Sequence, residues 1–359
     1  MDAGPVLEAA RKLVDDGSTP ACQLAIARDN EVVCFETFGA ATNSTRFCVF
    51  SATKPIVASA AWLLIGDGLL DPSRPVAHYI PEFATNGKEV ITVEQVMLHT
   101  AGFPNASMDP VAGADPVKRV KRFTEWQLEW EPGSRFEYHA LAAHWVLAEL
   151  IERLSGDDFR DYIETRVCTP NGLPRLLGLQ PEEQDDIADG VALGARPEET
   201  TIPGVDTVTL NRPEVRAAGV PGGGGIMTAA TMALFYQALL HDPNHLWDAD
   251  VLHDAKTNIR CTFADPIMNV GANRTLGLVL AGDDGLHQFR YGMFGKANSP
   301  GTFGHAGAHC QVAWGDPATG ISFSCVKNGL QADMMADAVT VIPITDAAAA
   351  LTADFRTKD

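Results

Sequence analysis

Predicted strands lie near both ends of this chain, with long helical and loop segments between them. Apolar or alternating runs at residues 23–27 and 31–38, joined by a short polar turn, predict a β-hairpin near the N-terminus. Runs of the same kind at residues 275–281, 311–314 and 321–326 predict further strands near the C-terminus. The simplest way to bury all of these strands is one sheet built from both ends, with a mostly helical insertion between them.

Helical periodicity indicates where the insertion and the flanking helices lie. The predicted helices are residues 6–14, 51–65, 92–99, 141–154, 159–167, 228–240 and 331–341, with a second C-terminal helix after Pro343. Thr92 and Gln95 have the spacing of a capping box at a helix start. Residues 179–214 are rich in Pro, Asp, Glu and Thr, which predicts long surface loops.

The chain length allows two structural units. At 359 residues the chain exceeds the usual size of one domain, and it can bury enough surface to fold without disulfides or metal. The expected domains are a discontinuous sheet unit, residues 1–75 and 220–359, and a helical insertion, residues 76–219. The seven cysteines are an odd number without a C-x-x-C pair, which favours reduced thiols.

The charge of the chain argues against several classes of partner. There are 46 acidic and 27 basic residues, which gives a formal net charge of −19. Such a surface repels nucleic-acid phosphates and anionic membranes. The longest apolar run, residues 56–65, is too short to span a bilayer, and the N-terminus has no signal-peptide pattern. We therefore expect a cytoplasmic protein without a membrane span and without a nucleic-acid partner; its oligomeric state is open.

The spacing S-x-x-K occurs twice, and the local patterns distinguish the two copies. Ser324 and Lys327 lie in a predicted strand, where residues three apart face opposite sides. Ser51 and Lys54 begin a predicted helix, where residues three apart share one face. A serine hydroxyl needs a base beside it to become a nucleophile, and a lysine with a lowered pKa can serve. The alternative is that Ser51 only caps the helix and that Lys54 lies on the surface.

Other motifs indicate no phosphate, metal or cofactor site. The four glycines at residues 222–225 lack the lysine of a phosphate-binding loop, and they favour a tight turn or a close approach of two backbones. His305 and His309 have the spacing of helical metal ligands, with His99 as a third candidate, but the neighbouring glycines argue against a helix. No G-x-S-x-G sequence occurs, which argues against an α/β-hydrolase. We expect neither a metal nor a cofactor.

Several segments, in order along the chain, resemble motifs of the serine β-lactamase and penicillin-binding-protein superfamily. They are FCVFSATKP at residues 47–55, the segments at residues 76–83 and 91–102, PGSRFEY at residues 132–138 and GHAG at residues 304–307. The resemblance is strongest to the class C β-lactamase and family VIII esterase branch and runs from about Leu13 to Asn328. It implies an α/β (α+β) fold of the β-lactamase/transpeptidase type. In this fold an antiparallel sheet is flanked by helices and carries an inserted, mostly helical domain.

The resemblance also implies roles for individual residues. Ser51 would be the acyl-accepting nucleophile, and Lys54 would help to deprotonate it. Tyr138 would be the partner acid/base. The backbone N–H groups of Ser51 and Ala308 would form the oxyanion hole, and Gly307 would lie beside the substrate.

Two positions depart from the family pattern. The second motif, Y-x-N in the family, is Tyr138, His139 and Ala140 here, and alanine cannot replace the contacts that asparagine makes with the lysine and the substrate. His139 is a candidate replacement for the lost polar group. His305 stands at the substrate-binding position where lactamases carry a lysine, so a fixed positive charge for a β-lactam carboxylate is missing.

These observations predict a serine hydrolase that forms an acyl-enzyme on Ser51. We expect a carboxylesterase or a related hydrolase of small acyl esters, because both departures weaken the case for β-lactam hydrolysis and leave ester hydrolysis feasible. Two alternatives remain. One is a catalytically degraded binding or regulatory protein of the same fold. The other is a weak β-lactamase or a D-amino-acid peptidase, which would act on an amide.

Overall fold

The strands predicted at the two ends of the chain pair with each other inside one sheet. The computed structural model describes residues 2–194 and 207–356. Its strands are β1 (Ala21–Arg28), β2 (Glu31–Gly39), β3 (Arg46–Cys48), β4 (Ile187–Ala188), β5 (Val191–Leu193), β6 (Ile226–Met227), β7 (Val279–Leu280), β8 (Phe303–Gly304), β9 (Val312–Asp316), β10 (Ile321–Lys327) and β11 (Gly329–Gln331). The main sheet has the order β2-β1-β10-β9-β8-β7, and all neighbouring strands are antiparallel. Ile26 lies opposite Phe323, which confirms one sheet built from both ends.

Helices cover both faces of this sheet. They are α1 (Gly4–Asp15), α2 (Lys54–Gly66), α3 (Val76–Tyr79), α4 (Val93–Met97), α5 (Pro110–Gly113), α6 (Pro116–Glu125), α7 (Ala142–Ser155), α8 (Phe159–Ile163), α9 (Pro213–Ala218), α10 (Ala229–His241), α11 (Ala249–Thr257) and α12 (Met334–Arg356). Successive residues of a strand face opposite sides. Leu24 and Ile26 of β1 accordingly pack in one core with α1 and α12, whereas Ala25 and Ala27 belong to a second core with α2 and α10. The predicted antiparallel sheet flanked by helices is confirmed.

Helix α2 lies at the centre of the larger core. Its residues from Lys54 to Leu64 are all buried, and it packs against α7. A helix that is apolar on all sides must be surrounded by other elements. The start of α2 is therefore held firmly from several directions, and this is where the S-x-x-K pair lies.

The C-terminal helices differ from the prediction. A break at Pro343 was expected, but α12 runs through that position as one helix. Proline lacks an N–H group and normally kinks a helix. Here Val341 and Ile344 on either side of Pro343 are buried against the sheet, so packing favours continuity.

The segment predicted as long surface loops contains short elements. It holds β4, β5, two 3-10 turns and the start of α9, while residues 195–206 lie outside the described residues. Strand β4 pairs with β3, and β5 pairs with β11, so this segment is joined to both ends of the chain. The sequence prediction also missed α3, α5, α6 and α11. The proposed domain boundaries, residues 1–75 and 220–359 against 76–219, stay a prediction.

The structure also shows the state of the cysteines and the length of the apolar helices. All seven cysteines are free, five of them buried. No helix within residues 2–194 and 207–356 is both long and apolar enough to cross a membrane.

The second S-x-x-K lysine lies in a buried ion pair. Lys327 Nζ is 2.6 Å from Asp337 Oδ1 of α12, and both side chains are 1% exposed. The same ammonium donates to the carbonyl of Gly329, and Asp337 Oδ2 is 3.1 Å from His309 Nδ1. The Lys327 ammonium thus links β10 to α12 and does not contact the Ser324 hydroxyl.

Replacement of Asp337 by alanine is expected to lower the free energy of unfolding by about 3–5 kcal/mol, because it leaves the Lys327 ammonium buried without a counter-charge. Urea denaturation followed by circular dichroism measures this. Glu125→Ala, in the exposed pair of Glu125 with Arg122, is the control and should cost at most about 1 kcal/mol. Equal losses in the two variants would contradict the structural role given to Asp337.

Candidate active site

Ser51 stands at an abrupt turn between strand and helix. Phe50, directly before it, has φ 47° and ψ −132°, a backbone conformation that residues other than glycine rarely adopt. A 3-10 turn, Ser51–Thr53, then leads into α2 at Lys54. Such strain persists only where the surroundings enforce it, and it is concentrated at functional sites.

Lys54 contacts three oxygen atoms in the interior. Its Nζ donates to Ser51 Oγ at 3.1 Å and to the carbonyl oxygens of Ala140 and Gly222 at 2.6 Å each. The side chain is 1% exposed. Burial, followed by the charge of Arg274, holds the pKa of Lys54 well below its ordinary value.

The alternative of a capping serine and a surface lysine is therefore wrong. Ser51 Oγ accepts from Lys54, and the residue that caps the 3-10 turn is Phe50. The structure brings together the two predicted residues, as the helical spacing requires.

The glycine run at residues 222–225 allows the close backbone approach that the sequence predicts. Gly222 offers its carbonyl to Lys54, and the Gly225 N–H donates to Thr53 Oγ1 at 2.9 Å. A Cβ at Gly225 would lie 2.6 Å from Thr53 Oγ1, too close for any side chain. The glycines thus form the wall behind Lys54.

Tyr138 faces Lys54 from the other side. Lys54 Nζ lies 5.0 Å from the centre of the Tyr138 ring. Among the described residues no atom meets the full geometry of a hydrogen bond with the buried Tyr138 hydroxyl, although the Ser51 side chain is close enough to act on it. Burial raises the pKa of Tyr138 to about 12, against smaller opposing effects of Arg274 and Ser51. Ser51, Lys54 and Tyr138 are thus neighbours, as the resemblance implied.

The altered second motif contacts Lys54 through its backbone. Ala140 has no side-chain amide, but its backbone carbonyl accepts directly from Lys54 Nζ, a contact that the sequence did not predict. The ring of His139 is occupied elsewhere: Nε2 accepts from the Phe103 N–H at 3.1 Å, and Nδ1 lies 2.6 Å from the carbonyl of Glu137. His139 therefore fixes the loop and is not available to replace the asparagine amide.

The third motif packs directly against the strand that leads to Ser51. A Cβ at Gly307 would lie 2.1 Å from the carbonyl oxygen of Val49, so only glycine fits there. Ala308 begins a 3-10 turn immediately afterwards. His305 is fully buried, its Nδ1 is 2.7 Å from the carbonyl of Ala306, and burial holds the pKa of His305 well below its ordinary value. His305 therefore supplies no positive charge.

His99 and His309, considered with His305 as metal ligands, have other partners. His99 Nδ1 accepts from the backbone N–H of His139, and His309 lies beside Asp337. Across residues 2–194 and 207–356 no group of three His, Cys, Asp or Glu side chains could hold a metal ion.

Comparison with known families assigns the chain to a family. The sequence profile of the family described as Beta-lactamase matches residues 7–343, nearly the whole chain. The chain belongs to the beta-lactamase family. The resemblance drawn from the motifs is thereby confirmed, and this beta-lactamase-family chain is an enzyme of the serine hydrolase class.

Known relatives of this beta-lactamase-family hydrolase include both esterases and penicillin-binding proteins. Esterase/beta-lactamase LipL of Mycobacterium tuberculosis is 27% identical over 311 residues, covering 79% of this chain and 69% of that protein. A penicillin-binding protein homologue from Caulobacter crescentus has a TM-score of 0.77 and 25% identity, covering 96% of each chain. A family VIII carboxylesterase has a TM-score of 0.80 at 22% identity, covering 95% of this chain and 96% of that one.

Two residues of this beta-lactamase-family site were missed by the sequence analysis. Arg274 is 1% exposed and its guanidinium carbon lies 5.2 Å from the centre of the Tyr138 ring. His144 of α7 is 2% exposed, and its pKa is held well below its ordinary value by burial and then by Lys54. Neither belongs to a motif. An arginine between a polar loop and a predicted strand gives no local signal that it is buried.

Proposed function

We propose that this chain is a carboxylesterase, or a related hydrolase of small acyl esters, that forms an acyl-enzyme on Ser51. The observation that carries the proposal is the 3.1 Å contact between Lys54 Nζ and Ser51 Oγ. Lys54 is excluded from solvent, whereas Ser51 is only half-buried and open to a substrate. A desolvated lysine beside an accessible serine is an arrangement suited to nucleophilic catalysis.

The oxygens around Lys54 set the direction of proton transfer. The carbonyls of Ala140 and Gly222 can only accept, so each takes one N–H of Lys54. In the neutral amine the remaining position on the nitrogen is the lone pair, which then faces Ser51. Ser51 can therefore donate its proton to Lys54 as its oxygen attacks the acyl carbon.

The rest of the reaction uses the neighbouring groups. Ser51 and Ala308 are each the first residue of a 3-10 turn. The N–H groups at the start of a helix have no partner within that helix, so these two are suited to bind the oxyanion. The C–O bond to the alcohol breaks as the proton passes to the leaving oxygen through Lys54 or Tyr138. Water then attacks the acyl-enzyme, releases the carboxylic acid and restores Ser51.

The altered motifs support an ester over a β-lactam substrate. Ala140 has no side-chain amide to hold the substrate carbonyl, and the buried His305 provides no cation for a β-lactam carboxylate. An ester needs less assistance, because its alcohol leaves more readily than an amine. Gly307 and His305 are proposed to border the acyl group without binding a charge on it.

A substrate panel tests the proposal. Purified protein is assayed with short- and medium-chain p-nitrophenyl esters, a chromogenic cephalosporin and a D-amino-acid p-nitroanilide, and a fluorophosphonate adduct is mapped by peptide mass spectrometry. We expect ester turnover and an adduct on the peptide containing Ser51. Faster turnover of the cephalosporin or the anilide would instead favour the weak β-lactamase or the D-amino-acid peptidase. No turnover and no adduct would favour the degraded binding protein.

The cytoplasmic location stays a prediction.

Tyr138→Phe is expected to lower kcat/KM for the best ester by about 10²-fold, the usual contribution of one acid/base group. The ring is retained, so only the hydroxyl is lost. Steady-state kinetics at constant pH measures the effect. Tyr162→Phe is the matched control, since that hydroxyl is also buried without a partner among the described residues but lies in α8. Similar kinetics for Tyr138→Phe and wild type would remove Tyr138 from the mechanism.

A further inference from the structure

The side chains around Tyr138 are numerous, yet burial disfavours the charged form of almost all of them. Burial holds the pKa values of His99, His144 and His305 well below their ordinary value. Burial lowers the pKa of His139 to about 3. Histidines in this state carry no charge near neutral pH. The electrostatics of the site therefore depend on whichever cation remains.

Arg274 is that cation. A guanidinium stays protonated under all conditions that proteins experience. Its carbon atom lies 5.2 Å from the centre of the Tyr138 ring, 5.3 Å from that of Tyr291 and 5.6 Å from that of Phe136. The charge is thus enclosed by three aromatic rings, one of which belongs to the proposed acid/base residue.

The surroundings of Arg274 compensate its charge poorly. Its Nε and Nη2 atoms are buried and have no hydrogen-bond partner within residues 2–194 and 207–356. No carboxylate of the described residues forms an ion pair with it; Asp265 acts on Arg274 only at longer range, with Oδ1 accepting from the backbone of Ile267 and Met268 and Oδ2 buried without a hydrogen-bond partner among the described residues. Burying a charge in this way costs several kcal/mol, and cation–π contacts return only about 0.5–2 kcal/mol each. An arrangement this costly needs a reason other than stability.

We propose that Arg274 is a positioning residue whose buried charge drives the Lys54–Tyr138 pair to give up its proton, so that the pair can accept the proton of Ser51. The proposal rests on the proposed function. Arg274 belongs to none of the motifs. It supplies the positive charge that the neutral His305 does not.

The charge of Arg274 acts on both members of the pair in the same direction. It contributes to the lowered pKa of Lys54, and it opposes the burial that raises the pKa of Tyr138. Two groups this close titrate as a unit, and a nearby cation favours loss of the shared proton from either member. The effect therefore does not depend on which of the two is the immediate base for Ser51.

The pH dependence of the pair also reflects its other neighbours. The titratable or charged groups that face the pair or Arg274 are His99, His139, His144, Cys261, Asp265, Tyr291 and His305. All of them are retained in the variants below. A change in the pH profile between those variants is then due to position 274.

Arg274→Met and Arg274→Lys separate charge from packing. The rate at which a fluorophosphonate phosphonylates Ser51, with loss of fluoride, is measured across pH for both variants and for wild type. For Arg274→Met we expect the rise of the rate with pH to move upward by about 1–2 pH units, with the wild-type rate nearly recovered at high pH. Arg274→Lys keeps a cation and should move the profile by less than half as much. A uniform loss at all pH values, with an unshifted profile, would show that Arg274 is only structural and would overturn the proposal.

Two controls keep these outcomes distinct. Thermal unfolding identifies variants that are folded at the assay temperature, and Arg274→Gln replaces Arg274→Met if the latter is not. Wild-type protein that fails to react with the probe overturns the proposed function, and this inference with it. Wild-type protein that reacts with the same pH profile as the neutral variant overturns only the role of Arg274.

Discussion

Ser51→Ala is expected to lower kcat/KM for the best ester substrate by about 10⁴-fold or more, and to abolish the fluorophosphonate adduct. Loss of a nucleophile removes the covalent pathway, and what remains is the binding and oxyanion contribution of the site. Lys54 would still donate to the carbonyls of Ala140 and Gly222, so the structure around the deleted hydroxyl should be retained. Stopped assays at high enzyme concentration, with melting curves alongside, measure the residual rate.

The second S-x-x-K sequence supplies the matched control for this experiment. Ser324 is buried in β10, its hydroxyl has no partner among the described residues, and it has the same sequence spacing to a lysine. Ser324→Ala should leave kcat/KM and labelling near the wild-type values. Full labelling of Ser51→Ala would place the nucleophile elsewhere, and Ser324→Ala would then show whether the other motif carries it.

Lys54→Met is expected to reduce kcat by about 10³-fold, with a smaller change in KM, because the base that accepts the Ser51 proton is lost while the substrate surface is unchanged. Methionine fills most of the same volume but accepts no proton. The substitution also leaves the carbonyls of Ala140 and Gly222 without a donor, which costs about 1–3 kcal/mol for each. Kinetics must therefore be measured well below the melting temperature of the variant.

Lys88 allows the stability effect to be separated from the catalytic one. It is another fully buried lysine, and its Nζ donates to the carbonyls of Thr85 and Trp126 much as Lys54 Nζ donates to two carbonyls. Lys88→Met should lower the melting temperature comparably and leave kcat near wild type. If Lys54→Met and Lys88→Met lost activity in equal measure, instability would explain both, and Lys54 would not be the base.

The parts of the site that the sequence predicted lie close together in the chain or in recognisable motifs. Ser51 and Lys54 are one helical turn apart, so their contact follows from helix geometry alone. Tyr138 has no local signal, and its assignment depended on the resemblance. Apolar or alternating runs likewise predicted five of the six strands of the main sheet, because that pattern is set by burial on the two faces. The two-residue strand β8 was not predicted.

The parts that the sequence did not predict depend on distant residues. The two carbonyls that hold Lys54 come from 86 and 168 residues further along the chain, and backbone groups are the same in every residue type. Arg274 is buried by rings that lie elsewhere in the sequence, so its local pattern resembles that of any surface arginine. Pro343 failed as a helix boundary because packing of Val341 and Ile344 outweighed the local preference.

The pairing of β1 with β10 has a consequence for biosynthesis. Residue 22 pairs with residue 327, so β1 cannot pair with β10 until residue 327 has left the ribosome. Contacts of such long sequence separation make folding slow. The nascent chain therefore exposes an unpaired, apolar β1 edge until β10 has been synthesised. Hydrolytic activity should accordingly arise only after translation has passed the last strands, and dependence on chaperones should be greatest just before that point.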